Sequence, residues 1–287
     1  MIKRIRRKVA IVAHTVPIGK LLLFLFCVTF LSGLLSAQCD SANTAFKAGE
    51  RVEYELNFSW KFVWVKAGKA SLSTYATTYK SKPAYRMTLL ASGSNRADFF
   101  FKLRDTLTCV FDKDLIPYYY RKCSEEGKHY AVDEAWYSYD NNGQCNVSQR
   151  RTYKNGRKRV VTSTEDHHIY DMLSILAKAR NYNFNSYKIG QQIKFSVVTG
   201  RRIENQILTY KGKRNIEAKD GHSYRCHVLS LVQNNNKKKI DEVITFYVSD
   251  DNNHLPIRLD LYLNFGIAKA YFLSVSGNRY PLTSRID

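Results

Sequence analysis

The chain lacks the short patterns that mark most recognisable chemistries. No Gly-x-Ser-x-Gly surrounds a serine, and Ser92-Gly93-Ser94 is without the flanking residues, so a nucleophile elbow is excluded. No Cys-x-x-Cys, Cys-x-x-His or His-x-x-x-His spacing supports zinc. Lys211-Gly212-Lys213 has no Ser or Thr in the place a phosphate loop requires. There is no Pro- or Ser-rich linker, no low-complexity stretch and no internal repeat, which leaves one domain as the expectation. Acids are scarce, with 25 Asp and Glu against 45 Lys and Arg.

What is present begins with a leader. Residues 1–20 carry six Lys or Arg and no acid, and an apolar run follows from Leu21 to Leu35. That run falls short of the roughly 20 residues of a spanning helix, and Ser36-Ala37-Gln38 ends it with small residues. A signal peptide over residues 1–37, cleaved after Ala37, is therefore expected. The alternatives are an uncleaved anchor and a lipoprotein acylated at Cys39. Removing the six leader charges from the formal +20 leaves +14 on residues 38–287. Charge of that size attracts acidic glycans, lipid head groups and acidic proteins. Export argues against nucleic acid, and the basic runs at 154–159 and 237–239 read as solvated hairpin ends.

From Arg51 onward apolar residues alternate with polar ones. Val52, Tyr54, Leu56, Phe58 and Trp60 share a face; so do Tyr85, Met87, Leu89 and Ala91; Leu107, Cys109 and Phe111; Ile193, Phe195 and Val197; Tyr224, Cys226, Val228 and Ser230; and Ile257, Leu259, Leu261 and Leu263. Turn signals divide them at 140–143, 154–156, Lys211-Gly212, 219–221 and 250–253, several with Asn-Gly or Asp-Gly, so neighbouring strands are expected to be antiparallel. One interruption has helical spacing. Ile169, Met172, Leu173 and Leu176 predict a helix over about 166–181, with Thr162-Ser163-Thr164-Glu165 as its capping box. A shorter helical turn is expected at Asn95–Leu103. The predicted fold is mainly β: a large curved antiparallel sheet, partial barrel or sandwich, with the principal helix packed on its concave side.

Candidate sites are few. His168 and Asp171, three apart on the expected helix, are the candidates for a metal or a proton relay beside His167, but a solvated first turn explains them equally and no third ligand is nominated. No metal and no cofactor is expected. Glu125-Glu126 adjoins a turn, and Asp133-Glu134 points to opposite faces of a strand, so neither makes a glycosidase pair. Five cysteines remain after the leader: Cys39, Cys109, Cys123, Cys145 and Cys226. If any pair forms, Cys109 with Cys123 is favoured, because they flank a hairpin turn. The aromatics suit either strand packing or a ligand groove, and Trp60, Trp64, Tyr120, Trp136 and Met172 are the candidate lining.

Several segments taken in order carry a resemblance: Phe46 to Tyr54 with its Gly49-Glu50, Ala67-Gly68-Lys69-Ala70, Asp112 to Pro117, Asp171-Met172-Leu173-Ser174 with Arg180, Lys188-Ile189-Gly190, Asp250 to Pro256, and Asn264-Phe265-Gly266. Together they resemble the DUF3108 family, exported bacterial proteins of unknown function, over about Phe46 to Ser276. The resemblance implies a periplasmic or surface β protein, a half-barrel with a helix in its mouth, similar in outline to lipoprotein carriers. It implies no activity and no site residue. The expected function is non-catalytic binding of a lipid-like, glycan or polypeptide partner on a concave β surface, in the periplasm or at the cell surface and with peripheral membrane contact. The alternatives are an assembly factor for surface or outer-membrane machinery and a hydrolase of envelope polymers; the oligomeric state is left open.

Overall fold

The computed structural model describes residues 42–60, 63–98, 102–235, 239–263 and 266–286. Its strands are β1 (Arg51–Trp60), β2 (Val63–Tyr79), β3 (Lys82–Gly93), β4 (Leu103–Phe111), β5 (Pro117–Glu126), β6 (His129–Tyr139), β7 (Cys145–Tyr153) and β8 (Lys158–Glu165). After these come β9 (Ile169–Tyr170), β10 (Gln192–Val198), β11 (Ile203–Glu217), β12 (Ser223–Asn235), β13 (Lys239–Ser249), β14 (Pro256–Leu263) and β15 (Gly266–Ser276). Helix α1 (Asn95–Asp98) is a single turn, and α2 (Met172–Ala179) is the longer helix. The expected helical turn continues over 99–101, which lie outside the described residues, and Leu103 itself opens β4.

All fifteen strands join one sheet in the order β8-β7-β6-β5-β4-β3-β2-β1-β15-β14-β13-β12-β11-β10-β9. Every pairing is antiparallel except β9 with β10. First and last strands meet in the middle of the sheet, and its two edges, β8 and β9, follow one another in the chain. Glu165 and Ile169 are four residues apart, so the edges lie within about 14 Å of each other there. The sheet therefore curls almost into a barrel, as its curved antiparallel character predicted.

The alternation seen in the sequence becomes the concave face. Val52, Tyr54, Met87, Leu107, Cys109, Phe111, Tyr120, Ala135, Tyr137 and Val147 are buried in one cluster with Leu173 and Ala177 of α2. That helix packs on β3, β4, β9 and β10, so it bridges the two flanks of the curled sheet. A second cluster holds Phe184, Ile193, Leu208, Tyr210, Leu229 and Val248. β12 is consequently buried on both faces, Cys226 and Val228 on one and His227 and Leu229 on the other; alternation alone signals one buried face.

Three local expectations are corrected. The helix begins at Met172, not 166, because Thr162 to Glu165 stay in β8 and Ile169-Tyr170 pair with β10. Its capping box is Asp171 with Ser174: Asp171 Oδ1 accepts from the Leu173 and Ser174 amides, and Ser174 Oγ accepts from the Asp171 amide. Both residues are fully buried. Lys211-Gly212 is no turn but lies inside β11, where the register against β12 shifts between Tyr210 and Lys213; Gly212 has φ +92°, so the positive φ serves a bulge.

Cys109 and Cys123 do not pair. Cys109 stands opposite Tyr120 and Cys123 opposite Thr106, three rungs apart and on opposite faces of the sheet. Cys109 Sγ instead donates to Asp171 Oδ2 at 3.0 Å. Cys39 lies outside the described residues.

Candidate binding surface

The strand register lines up charge on the concave face. One rung runs Leu107, Lys122, Asp133, Arg151 across β4 to β7, and Asp105 sits one step further out on β4. Arg151 Nη2 donates to Asp133 Oδ2 at 2.9 Å. Lys122 Nζ lies 2.9 Å from Glu126 Oε1 and 3.6 Å from Asp105 Oδ2. Burial pushes Asp105 up to about 6, against the Lys122 ammonium and with the neighbouring Glu126 carboxylate. Burial also raises Asp133, and Arg151 only partly offsets it. For Glu126 the balance goes the other way: burial would raise it, but Lys122 holds it below the usual carboxylate range.

Beside this rung is an unpaired amide. Gln149, opposite Ala135 on β7, is 0% exposed, and neither of its amide atoms has a hydrogen-bond partner among the described residues. The Tyr137 hydroxyl, also buried, is in the same position. Buried polar groups are normally satisfied, so Gln149 and Tyr137 stand out in this part of the interior.

Outward from Arg151 the charged face opens into a cleft of about 310 Å³ between the β5–β6 and β7–β8 hairpins. Lys128, His129, Tyr130, Tyr153, Lys154, Asn155 and Arg157 line it, without an acid among them. The Arg157 guanidinium lies 4.5 Å from the Tyr153 ring centre and that of Arg151 6.0 Å, so two cations lie close to the ring. Asn155-Gly156 builds the turn that carries Lys154 and Arg157, with Gly156 at φ +78°.

At the opposite end of the sheet several of the segments that carry the family resemblance come together. Arg180, 1% exposed, sets Nη1 2.5 Å from Glu50 Oε1 and donates from Nε and Nη2 to the Asn253 carbonyl. Its guanidinium lies 5.0 Å from the Phe46 ring centre. This knot ties the strand entrance, the end of α2 and the β13–β14 turn together, and Arg180 also borders a cleft with Thr44, Asn181, Asn183 and Tyr280.

One buried line of side chains joins a tyrosine, a histidine and a carboxylate. Tyr210 hydroxyl lies 3.0 Å from His227 Nδ1, and His227 Nε2 is 2.9 Å from Asp250 Oδ1. Burial brings His227 down to about 4, while Asp250, despite partial burial, is held at about 2 by Lys213 and Arg225. The line has the form of a proton relay, but His227 is 0% exposed and ringed by Phe184, Tyr210 and His254.

The sequence candidates are dispersed. Tyr120 is in the core. Trp136 lies on the other face of the sheet, beside Tyr119 and 4.8 Å from Arg150. Trp64 is 47% exposed with Lys269 over its ring, and Met172 is 51% exposed at the helix start. Trp60 ends β1, and its side chain lies outside the described residues. The four whose side chains are described therefore do not form one groove. His168 and Asp171 do not share a helix face: His168 precedes β9 and lies against Tyr139, and Asp171 is taken up by Cys109, Ser174 and the helix amides. Among the described residues no three His, Cys, Asp or Glu side chains group as metal ligands. Asp133 and Glu134 do point to opposite faces, toward Arg151 and Arg150. The charged rung was missed because its members stand apart in sequence, at 105, 122, 133 and 151, and only the register aligns them.

A curled antiparallel sheet closed over a helix defines a β-barrel-like class. The same outline is found in the crystal structure of a β-barrel-like protein of the domain of unknown function DUF1849 from Brucella abortus, with a TM-score of 0.53 and 6% identity over 82% of this chain and 99% of that one. At that identity the likeness is one of fold. The family model described as a protein of unknown function, DUF3108, matches residues 53–273, and the chain belongs to that family. No curated protein matches.

Proposed function

We propose that this protein is an exported, non-catalytic binding protein of the cell envelope that holds an anionic group of a lipid or glycan in the basic cleft between the β5–β6 and β7–β8 hairpins. The observation that carries the reading is the lining itself: Lys128, Lys154 and Arg157 around Tyr153, with no carboxylate in the cleft. A ring flanked by guanidinium groups offers an apolar wall, and the cations fix an anion at its edge. Arg151, whose guanidinium also lies near the Tyr153 ring, links the cleft to the charged rung. The leader supports export, and the +14 of residues 38–287 supports attraction to acidic envelope material. The helix packs onto the concave face through Leu173 and Ala177, so the binding surface is the open cleft and not a hollow under the helix.

Co-sedimentation with vesicles of phosphatidylglycerol and of phosphatidylcholine, and titration with a uronic-acid oligosaccharide, test the reading. Binding to one anionic probe is expected, weakening with salt, and the double substitution Lys128→Ala, Arg157→Ala lowers it roughly 30-fold. Equal binding to neutral vesicles, or an unchanged affinity in the double variant, overturns it.

A further inference from the structure

Among the described residues the sheet ends in a strand with one edge unpaired. β8 pairs with β7 along its length, from Thr152 opposite Lys158 to Cys145 opposite Glu165, and no strand adjoins its other side among the described residues. Its neighbour across the gap, β9, is two residues long and pairs with β10 instead. The edge is open to solvent: Lys158, Arg159, Val160, Thr162 and Thr164 are exposed, Val160 by 61%. An edge of this length presents unpaired amides and carbonyls that seek another strand, and proteins usually guard such edges with charge spread along them.

Here the charge is not spread but divided. Arg157, Lys158 and Arg159 stand at the start, Glu165 and Asp166 at the end, and Val160 to Thr164 between them are neutral and rich in β-branched residues. Among the described residues Lys158, Arg159 and Glu165 form no ion pair; Asp166 meets only His167, and its side chain is 90% exposed. A positive start, a neutral centre and a negative end make an antiparallel copy of the strand its own complement.

We infer that β8 pairs with β8 of a second copy of this chain about a two-fold axis at Thr162. A two-fold axis perpendicular to a sheet keeps each face on its own side, so only residues on the same face can stand opposite one another. Centred on Thr162, the pairing puts Val161 opposite Ser163, Val160 opposite Thr164, Arg159 opposite Glu165 and Lys158 opposite Asp166. Both ends then carry opposite charges face to face, four pairs in the dimer, while the neutral centre supplies the backbone ladder. An acidic polypeptide strand is the other occupant such an edge admits, but it would meet bases at one end only and its own repulsion from Glu165 and Asp166 at the other.

Sedimentation of the purified protein over a micromolar concentration series is expected to show a monomer–dimer equilibrium. Arg159→Glu weakens the dimer roughly tenfold, and the charge swap Arg159→Glu, Glu165→Arg restores it. Thr162→Cys, at the axis, gives a disulfide-linked dimer on mild oxidation, whereas Val160→Cys, which faces Thr164, cross-links far more slowly. All four positions lie in the edge strand β8, and unchanged circular dichroism and melting confirm that each variant is folded. A monomer at every concentration, equal cross-linking at 162 and 160, or failure of the swap to restore association overturns the inference, as does protection of β8 amides by an acidic peptide in a protein that stays monomeric.

Discussion

Arg180 shows how a residue that the sequence offers only as part of an ordered motif becomes a structural tie in three dimensions. Its guanidinium is paired with Glu50, bonded to the Asn253 carbonyl and stacked on Phe46, with almost no exposure. Breaking such a pair leaves a charge buried alone, which is far worse than never having had it. Glu50→Gln is expected to lower unfolding free energy by about 3–5 kcal/mol in chemical denaturation, and Glu50→Leu with Arg180→Met to lose much less. A double variant no better than Glu50→Gln would mean that the Asn253 contact carries the knot instead. Gly49-Glu50 and Arg180 were each visible as parts of ordered motifs, but 130 residues separate them, and no local pattern says that they meet.

At the scale of elements, close approach decides the geometry. The β10–β11 hairpin turns inward so that Gly200, at φ +74°, lies against the Asp133 side chain; a β-carbon there would overlap the carboxyl group. The hairpin thus covers the charged rung from above, with Arg201 near enough to favour the Asp133 carboxylate. Gly200→Ala meets both a disfavoured backbone angle and an overlap, and a loss of about 2–3 kcal/mol is expected. Adding Asp133→Ala removes the overlap though not the angle, so the double variant should be less destabilised than the sum of the two single changes. Strict additivity in urea melts would show that the hairpin does not rest on Asp133. The helix illustrates the same limit on sequence reading: its apolar spacing was legible, but its start was not, since β9 claims Ile169 and Tyr170 for a pairing with residues near 196.

For the molecule as a whole, two buried groups give opposite pH trends. His227, lowered by burial to about 4, stays neutral in the folded protein while the unfolded chain takes up its proton below about 6.5, so its contribution to stability is present above that range and is lost as pH falls toward 4. Asp105, raised to about 6, holds its proton in the fold after the unfolded chain has released it, so its contribution is present at low pH and is lost as pH rises through 4 to 6. The two offset each other in the native chain. Asp105→Asn removes the second trend: its stability is expected to climb from pH 4 to 6.5 more steeply than that of the native chain, and to exceed it at pH 7 by about 1 kcal/mol after allowance for partial exposure. Denaturant midpoints at pH 4, 5, 6 and 7 check this, and parallel curves for the two proteins would show that Asp105 does not titrate in that window.

Strand propensity, the two-residue period and the Asn-Gly and Asp-Gly turns were enough to determine an antiparallel sheet with one principal helix, because those signals act between residues close in the chain. The order of fifteen strands, the meeting of β1 with β15, the alignment of Asp105, Lys122, Asp133 and Arg151, and the open edge at β8 were decided by tertiary structure alone. Each depends on which strands become neighbours and in what register, and a pattern that repeats every two residues fits many registers equally well until burial of one face selects among them.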